Sequence, residues 1–599
     1  MRPRENTNDK INDFKGTIVR LVNTLKKYKI GIIVVIIFSI ISAIFSVVSP
    51  KILGKITTEI ATGVISKFQT GVGIDFDKIL HILIILIVIY LVSAIFTYFQ
   101  SFIMAYISNN YTYELRKKVI AKMNKIPLKF FESKKTGDIL SRITNDIDTI
   151  GENLNQSLTQ IISSFVMLIG IIMMMLSISP LLTGVSILIL PIGILLLILM
   201  STVVKFSQKY FRTQQEYLGH INSHVEEVYG GHSIVKAYNG EEQELKKFEN
   251  LNDTLYNAVW KGQFLSGLIH PIMNFLGNLG YVIVAIIGGY LTTKGKLEIG
   301  YILSFSQYVR NFNTPIMSIA QIFSLIQSMV ASSERVFEFL DVTEEVDGTK
   351  EVSKNVVGNI EFDNVSFGYD KDKIIIHNFN ATIKKGQKVA IVGPTGAGKT
   401  TIVKLLMRFY DVNDGVIKLD GIDIRKFKRD SLRSIFGMVL QDTWLFNGTV
   451  KENISYGKLK ASMKEIEEVG KASYIDHFIK TNPLGYDMQI DEETSNISAG
   501  QKQLLTIARV ILKDPKILIL DEATSNVDTR TEILIQKAMD KLMENRTSFI
   551  IAHRLSTIKN ADLILVMNDG NIVEVGKHKE LLKKNGFYAS IYNSQFENN

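Results

Sequence analysis

The amino-acid sequence predicts two structural classes in one chain: an all-α polytopic membrane domain with long cytoplasmic extensions, then an α/β domain with a parallel sheet. Three observations predict it. Hydrophobic residues make up 46% of the 599 positions and concentrate before residue 330. They form six runs, each near the length of about 20 residues that a helix needs to cross a hydrocarbon core. After residue 331 the composition turns polar, and a strand predicted at 388–392 leads into a glycine-rich loop and then a helical pattern.

The first run, 30–48, holds no charge, and the second, 79–107, has His81 near one end. Runs 158–178 and 181–204 are separated only by Ser179-Pro180. A proline at the joint and the combined length argue for two helices with a short turn rather than one. Runs 265–291 and 300–329 complete the six and are richer in Gly, Asn and Gln. Ahead of them, Phe14, Ile18, Leu21, Val22 and Leu25 recur at helical spacing, with Lys15, Arg20 and Lys26 off that stripe. This predicts an amphipathic helix over 14–28, lying along the inner leaflet.

Lys and Arg crowd residues 1–29 and the connections after the second and fourth runs, while the other connections are sparser. The bias predicts that both termini and the α/β domain are cytoplasmic and that the chain sits in the cell membrane. It also accounts for the net charge of +9 without nucleic acid, for which no recognition motif is present. The chain has no cysteine, which excludes disulfides and zinc-thiolate chemistry. Residues 331–358 read as a linker between a membrane domain, 1–330, and the α/β domain, 359–599.

The glycine-rich loop is Gly393-Pro394-Thr395-Gly396-Ala397-Gly398-Lys399-Thr400, followed by Thr401 on a helix expected to reach residue 409. Bound phosphate needs backbone N–H groups without a Cβ in the way, and it gains from a helix N-terminus. Lys399 is expected to reach the β- and γ-phosphates of ATP, and the Thr400 hydroxyl to bind Mg2+. The apolar run 517–520 reads as a buried parallel strand. Asp521 at its end is placed to hold Mg2+ through water, and Glu522 to polarise the attacking water.

Between these elements stands Ile497-Ser498-Ala499-Gly500-Gln501. It resembles the signature loop of ATP-binding-cassette (ABC) proteins, usually written Leu-Ser-Gly-Gly-Gln. The resemblance implies that Ser498, Ala499, Gly500 and Gln501 complete the ATP site of a second, facing domain. It further implies that Tyr369 stacks on adenine, and that Gln441 senses Mg2+ and the γ-phosphate. His553 would contact the γ-phosphate, Asp528 would lie in a loop facing the dimer partner, and Gln503 and Arg509 would support the signature helix. The motif match is dense over 369–553; over the membrane part only the pattern matches.

The whole chain resembles the half-transporters of the ABC exporter class, nearest in style to the subunit of bacterial heterodimeric multidrug exporters that keeps its catalytic glutamate. In such transporters, glycine-bearing breaks like Lys135-Thr136-Gly137-Asp138 and Tyr229-Gly230-Gly231-His232 hold short coupling helices; residue types alone leave simple turns open. Ala499 departs from the family's glycine. That departure favours a partner chain with a degenerate catalytic site over a homodimer, which stays open.

The expected function is ATP-driven export of amphipathic drugs or lipids by alternating access. A dedicated peptide or lipid exporter and an ATP-gated channel are the alternatives. A substrate cavity is expected at the last two runs, with Arg310 its clearest member because a membrane-embedded charge needs water or a partner. Gln307, Asn311, Asn274, Asn278 and His270 are candidates to share it, against the alternative that the amides join helices by hydrogen bonds.

Overall fold

The structure is a computed structural model that describes residues 13–188, 190–353, 355–370, 373–440, 443–490, 497–521, 527–551 and 558–596. It divides into two units, Met1–Asn124 with Thr136–Val342, and Lys125–Lys135 with Thr343–Asn599.

The described residues of the first unit form helices joined by short connections. Helix α1, Phe14–Leu25, is capped by Asp13, whose carboxylate accepts from Gly16 N at 2.8 Å. A 3-10 turn leads into α2, Lys29–Thr70, followed by α3, Phe76–Met123. Helix α4, Leu128–Ser133, belongs to the second unit. Then come α5, Thr136–Ile143, α6, Asn145–Ile178, α7, Pro180–Leu188, α8, Leu190–Gly230, and α9, His232–Ala237. Helices α10, Glu241–Gly267, α11, Ile269–Thr293, and α12, Ile299–Asp341, finish the unit. Among the described residues, the helical stretches Phe14–Thr70, Phe76–Met123, Thr136–Ile178 and Ile299–Asp341 are long and apolar enough to cross a membrane. Helices α2, α3, α6 and α12 pack together, α11 lies along α12, and α8 pairs with α10.

Helix α6 ends at Ile178 and α7 starts at Pro180, with Ser179 extended between them. Short helices stand beside both glycine-bearing breaks: α4 and α5 around the first, α9 in the second. Helix α12 continues well past residue 330. One face of its polar exit is packed: Val336, Phe337 and Phe339 are buried, and Asp146 of α6 accepts from Arg335 Nε at 2.9 Å and Ser332 Oγ at 3.2 Å. Packing of that apolar stripe carries the helix through residues whose types read as a linker.

In the second unit, a first sheet is built from β1, Ile360–Phe367, β2, Ile376–Ile383, β4, Asp414–Leu419, and β5, Ile422–Asp423, in the order β2-β1-β4-β5. A small ribbon pairs β7, Gly448–Thr449, with β8, Gln489–Ile490, and a second large sheet has the order β12-β11-β3-β10-β9-β6. Its strands are β3, Lys388–Val392, β6, Phe436–Val439, β9, Ile517–Asp521, β10, Thr547–Ile551, β11, Leu563–Asn568, and β12, Asn571–Gly576. All but the edge strand β12 pair in parallel. Every residue of β10, and all but one of β3 and of β9, is buried, as expected when helices cover both faces.

Residues 343–352 do not hang free. Arg408 and Arg429, both buried, hold them: Arg408 Nη2 donates to Val346 O at 3.1 Å, and Asp347 accepts from Arg429 N at 2.7 Å.

Candidate ATP site and membrane polar face

Strand β3 delivers the chain into the loop 393–398, and helix α13, Lys399–Leu406, leaves it. The expected helix extended to 409; it stops at Leu406. Gly396 and Gly398 have φ of +88° and +97°, values that disfavour any residue with a Cβ. Gly393 has another reason to be glycine. A Cβ there would lie 2.2 Å from Met567 O on the neighbouring strand β11, so the sheet by itself already demands glycine at this position. Ala397 and Thr401 are buried, while Thr395 and Thr400 are exposed.

Lys399 Nζ donates to Gly393 O at 2.7 Å and Pro394 O at 2.9 Å, so its ammonium lies over the loop. Burial pushes this ammonium below its ordinary pKa, and the charge of Asp521 opposes the shift. Asp521 ends β9, in register with Ile551 of β10. An aliphatic strand thus delivers a carboxylate to the same edge of the sheet as the phosphate loop. Among the described residues no three His, Asp or Glu side chains form a ready cation cage. The hydroxyl of Thr400 and the carboxylate of Asp521 fit Mg2+, an oxygen-seeking ion that takes few protein ligands and fills the rest from phosphate and water. Gln441, Glu522 and His553 lie outside the described residues.

Tyr369 follows β1. Its ring packs edge-on against Phe367 and Tyr410 with centroids 5.1 and 5.0 Å away, and its hydroxyl lies 3.3 Å from Thr401 Oγ1 on α13. Lys404 Nζ stands 5.5 Å from the Tyr369 ring centre. The carbonyl of Tyr369 accepts from Lys129 of α4. Glu132, also of α4, accepts from Lys404 Nζ at 2.8 Å and from Tyr410 Oη at 2.5 Å. Burial pulls the Glu132 carboxyl upward, but the hydrogen bonds from Lys404 and Tyr410 outweigh it and hold it below the usual range. The sequence reading missed this cluster; its only signal was the glycine-bearing break just after α4.

The segment 497–501 starts the helix Ala499–Lys513. Ser498 caps it: Gln501 N donates to Ser498 Oγ at 3.3 Å, and Ser498 N to Gln501 Oε1 at 2.9 Å. Gln501 thus has a structural task in its own chain. The Ser-x-x-Gln spacing of a capping box was the available sequence signal. The cap fixes a helix N-terminus at Ala499 and Gly500, an anion-binding arrangement. Ala499 is exposed, whereas Gly500 is buried, as is Gln503. Asp528 caps the helix Thr529–Met543, accepting from Thr531 N at 3.0 Å, which lowers its pKa. Arg509 ties the signature helix to the chain after Gln441: Nη1 donates to Trp444 O at 3.2 Å and Nε to Asn453 O at 2.9 Å.

In the first unit, Arg310, Asn311, Asn274 and Asn278 are exposed and Gln307 is half-buried. The side chain of His270 lies outside the described residues. Tyr308, by contrast, is buried and donates to Val47 O at 2.7 Å, so it packs α12 on α2.

A glycine loop between β3 and α13, with an acid at the end of β9 two strands over, in a chain that also carries membrane-length apolar helices, defines an ATPase built into a membrane protein. The comparisons agree. Residues 32–316 match the ABC transporter transmembrane region, and residues 376–525 match the ABC transporter domain. A fatty acid ABC transporter ATP-binding/permease protein of Mycobacterium tuberculosis is 41% identical over 610 residues, covering 97% of this chain and 96% of that protein. An ATP-dependent lipid A-core flippase of Syntrophus aciditrophicus is 37% identical over 519 residues, 86% of this chain and 85% of that one. Among solved structures, a bacterial Atm1-family ABC exporter with ATP bound matches with a TM-score of 0.72 and 28% identity, over 96% of this chain and 98% of that one. The chain belongs to the ABC transporter family, as an exporter half-transporter whose ATPase domain is coupled to transport.

Proposed function

We propose that this chain exports amphipathic molecules, lipids foremost, across the cell membrane by alternating access, as one half of a dimer. Six crossings are proposed, with the ATPase domain and both termini cytoplasmic, in line with the Lys and Arg bias. The observation that carries the reading is the capped helix start at Ser498. It presents Ala499 and Gly500 as an anion site in a chain that has its own phosphate loop, so each chain offers half of two sites. Names of relatives that handle fatty acid and lipid A-core favour the lipid side of the substrate range.

In this reading Lys399 and the N–H groups of the loop grip the phosphates, and Tyr369 carries the adenine. Thr400, Asp521 and Gln441 would hold Mg2+, which when bound would supply charge neutralisation at the phosphates. Glu522 accepts a proton from the attacking water, the bond to the γ-phosphorus forms, and ADP leaves with phosphate as the second product. His553 steadies the γ-phosphate. Loss of that phosphate releases the partner's signature loop, and a ligand-biased pair of states drives the membrane helices. The partner is proposed to be a different half-transporter with a weakened catalytic site, a reading supported by Ala499.

The test is Glu522→Gln in full-length protein. Hydrolysis is expected to fall by about 100-fold or more while ATP stays bound. Near wild-type turnover refutes the assigned base. Tagged protein purified from its own cell is expected to bring down a second, similar chain; a single species of this mass refutes the heterodimer.

A further inference from the structure

The membrane-crossing runs contain one formal charge. None of 30–48, 79–107, 158–178, 181–204, 265–291 and 300–329 holds Asp, Glu or Lys, and Arg310 is their sole arginine. A guanidinium does not shed its proton in proteins. At membrane depth it must find water, an aromatic face or an anion. The spans themselves provide no anion.

The structure provides the aromatic face. Helices α11 and α12 approach closely, since a Cβ on Gly280 would lie 2.7 Å from Val309 Cγ1. On the shared side the Arg310 guanidinium carbon stands 5.5 Å from the centre of the Tyr281 ring. Both side chains are open, Tyr281 at 43% exposure. Asn278 lies one turn before Tyr281, and Gln307 and Asn311 flank Arg310 on α12. A guanidinium placed over a ring keeps its N–H edge free, and that edge matches a carboxylate or phosphate in two parallel hydrogen bonds. Phe275, also exposed on α11, offers apolar surface for a chain.

We infer that Arg310, seated on Tyr281, binds the anionic headgroup of the exported amphipath, a carboxylate or a phosphate. The inference deepens the export reading and rests on it. A cationic drug would meet an uncompensated like charge here, so the site excludes the cations that multidrug exporters are often tested with.

The test uses the full-length chain, with any second subunit that co-purifies, in phosphatidylcholine vesicles. Four probes share one chain: palmitate, hexadecyl phosphate, hexadecanol and hexadecyltrimethylammonium. The concentration of each that half-maximally stimulates ATP hydrolysis is measured. One anion is expected to act at a concentration about 10- to 100-fold below hexadecanol, the range set by a hydrogen-bonded charge. The two anion arms separate carboxylate from phosphate recognition. Arg310→Gln should remove most of that preference and Arg310→Lys should keep much of it. Should Arg310→Gln not fold, Tyr281→Leu must weaken the preference. Wild-type protein that answers hexadecanol or the cation as well as either anion overturns the inference and leaves amphipath export standing. An unchanged preference in Arg310→Gln, or in Tyr281→Leu where that stands in, also overturns it. If none of the four is transported or alters hydrolysis, the export reading falls and the inference with it.

Discussion

Glu132 and Lys404 meet at 2.8 Å, joining the short helix α4 to the helix that begins at the phosphate-loop lysine. Lys404 also faces the Tyr369 ring, and Tyr410, which bonds the same carboxylate, packs against that ring. A segment that lies between two membrane-associated helices in sequence is therefore fastened to the side chains that frame the proposed adenine platform. A change at Tyr369 has a direct route to α4 through two side chains.

This fastening predicts a pH dependence with a defined sign. The Glu132 carboxyl is held below its usual range by Lys404 and Tyr410 after the opposing effect of burial. Its contribution is complete above the ordinary carboxyl pKa and is lost as pH falls through the lowered folded value. Because the group is 40% exposed, the pair is worth no more than about 1 kcal/mol. Glu132→Gln should leave the melting temperature nearly unchanged while amide exchange over 128–133 speeds up several-fold at neutral pH. Wild-type protein should approach the same exchange only in acid. Equal exchange in both proteins at neutral pH would show that the carboxylate does not fasten α4.

The two adjacent signature positions should respond oppositely to a methyl group. A Cβ on Gly500 would lie 2.5 Å from Thr531 Cγ2 and 2.8 Å from Val527 Cγ1, so the helix after the signature packs against the next one through this glycine. Gly500→Ala is expected to destabilise the ATPase domain by about 1–3 kcal/mol through overpacking. Ala499 is exposed, and Ala499→Gly should cost at most about 1 kcal/mol of helix propensity. Any effect of Ala499→Gly on hydrolysis then belongs to the proposed facing site and not to folding. Thermal unfolding of both variants decides: a wild-type melting temperature for Gly500→Ala would remove the packing reason for that glycine.

What could be read from sequence is what local chemistry forces. Phosphate binding dictates Gly396, Gly398, Lys399 and Thr400 within a few residues, and burial on both faces dictates the aliphatic runs of β3 and β9. What could not be read depends on partners distant in sequence. Gly393 looks like the loop's other glycines, yet Met567 O fixes it. Ser332 and Arg335 read as part of a linker, but Asp146, far back in the chain, accepts hydrogen bonds from both. Gln501 reads as a nucleotide contact, while its side chain closes a cap on Ser498. Glu132 carries no motif at all; only the fold brings it to Lys404 and Tyr410.

The crossing of α2 and α12 gives the sharpest stability prediction in the membrane unit. Gly54 and Gly300 touch backbone to backbone: a Cβ on Gly300 would fall 1.8 Å from Gly54 O, and one on Gly54 2.7 Å from Gly300 O. Two side chains of α12 then bond to α2 carbonyls, Ser304 Oγ to Pro50 O at 2.8 Å and Tyr308 Oη to Val47 O at 2.7 Å. Pro50 has no N–H and leaves the α2 ladder short of one bond there, so α2 is pinned where it is weakest. Removing one pin, by Ser304→Ala or Tyr308→Phe, should cost about 1 kcal/mol each. Gly300→Ala pushes against the Gly54 backbone, which a rotation of the nearby Thr58 side chain does not relieve, so it should cost about 3 kcal/mol or more. Unfolding of the purified protein in mixed detergent micelles, read by loss of helix signal, ranks the three variants. If Gly300→Ala proves no worse than Ser304→Ala, the helices are not in backbone contact at this crossing, and the pins alone hold α12 to α2.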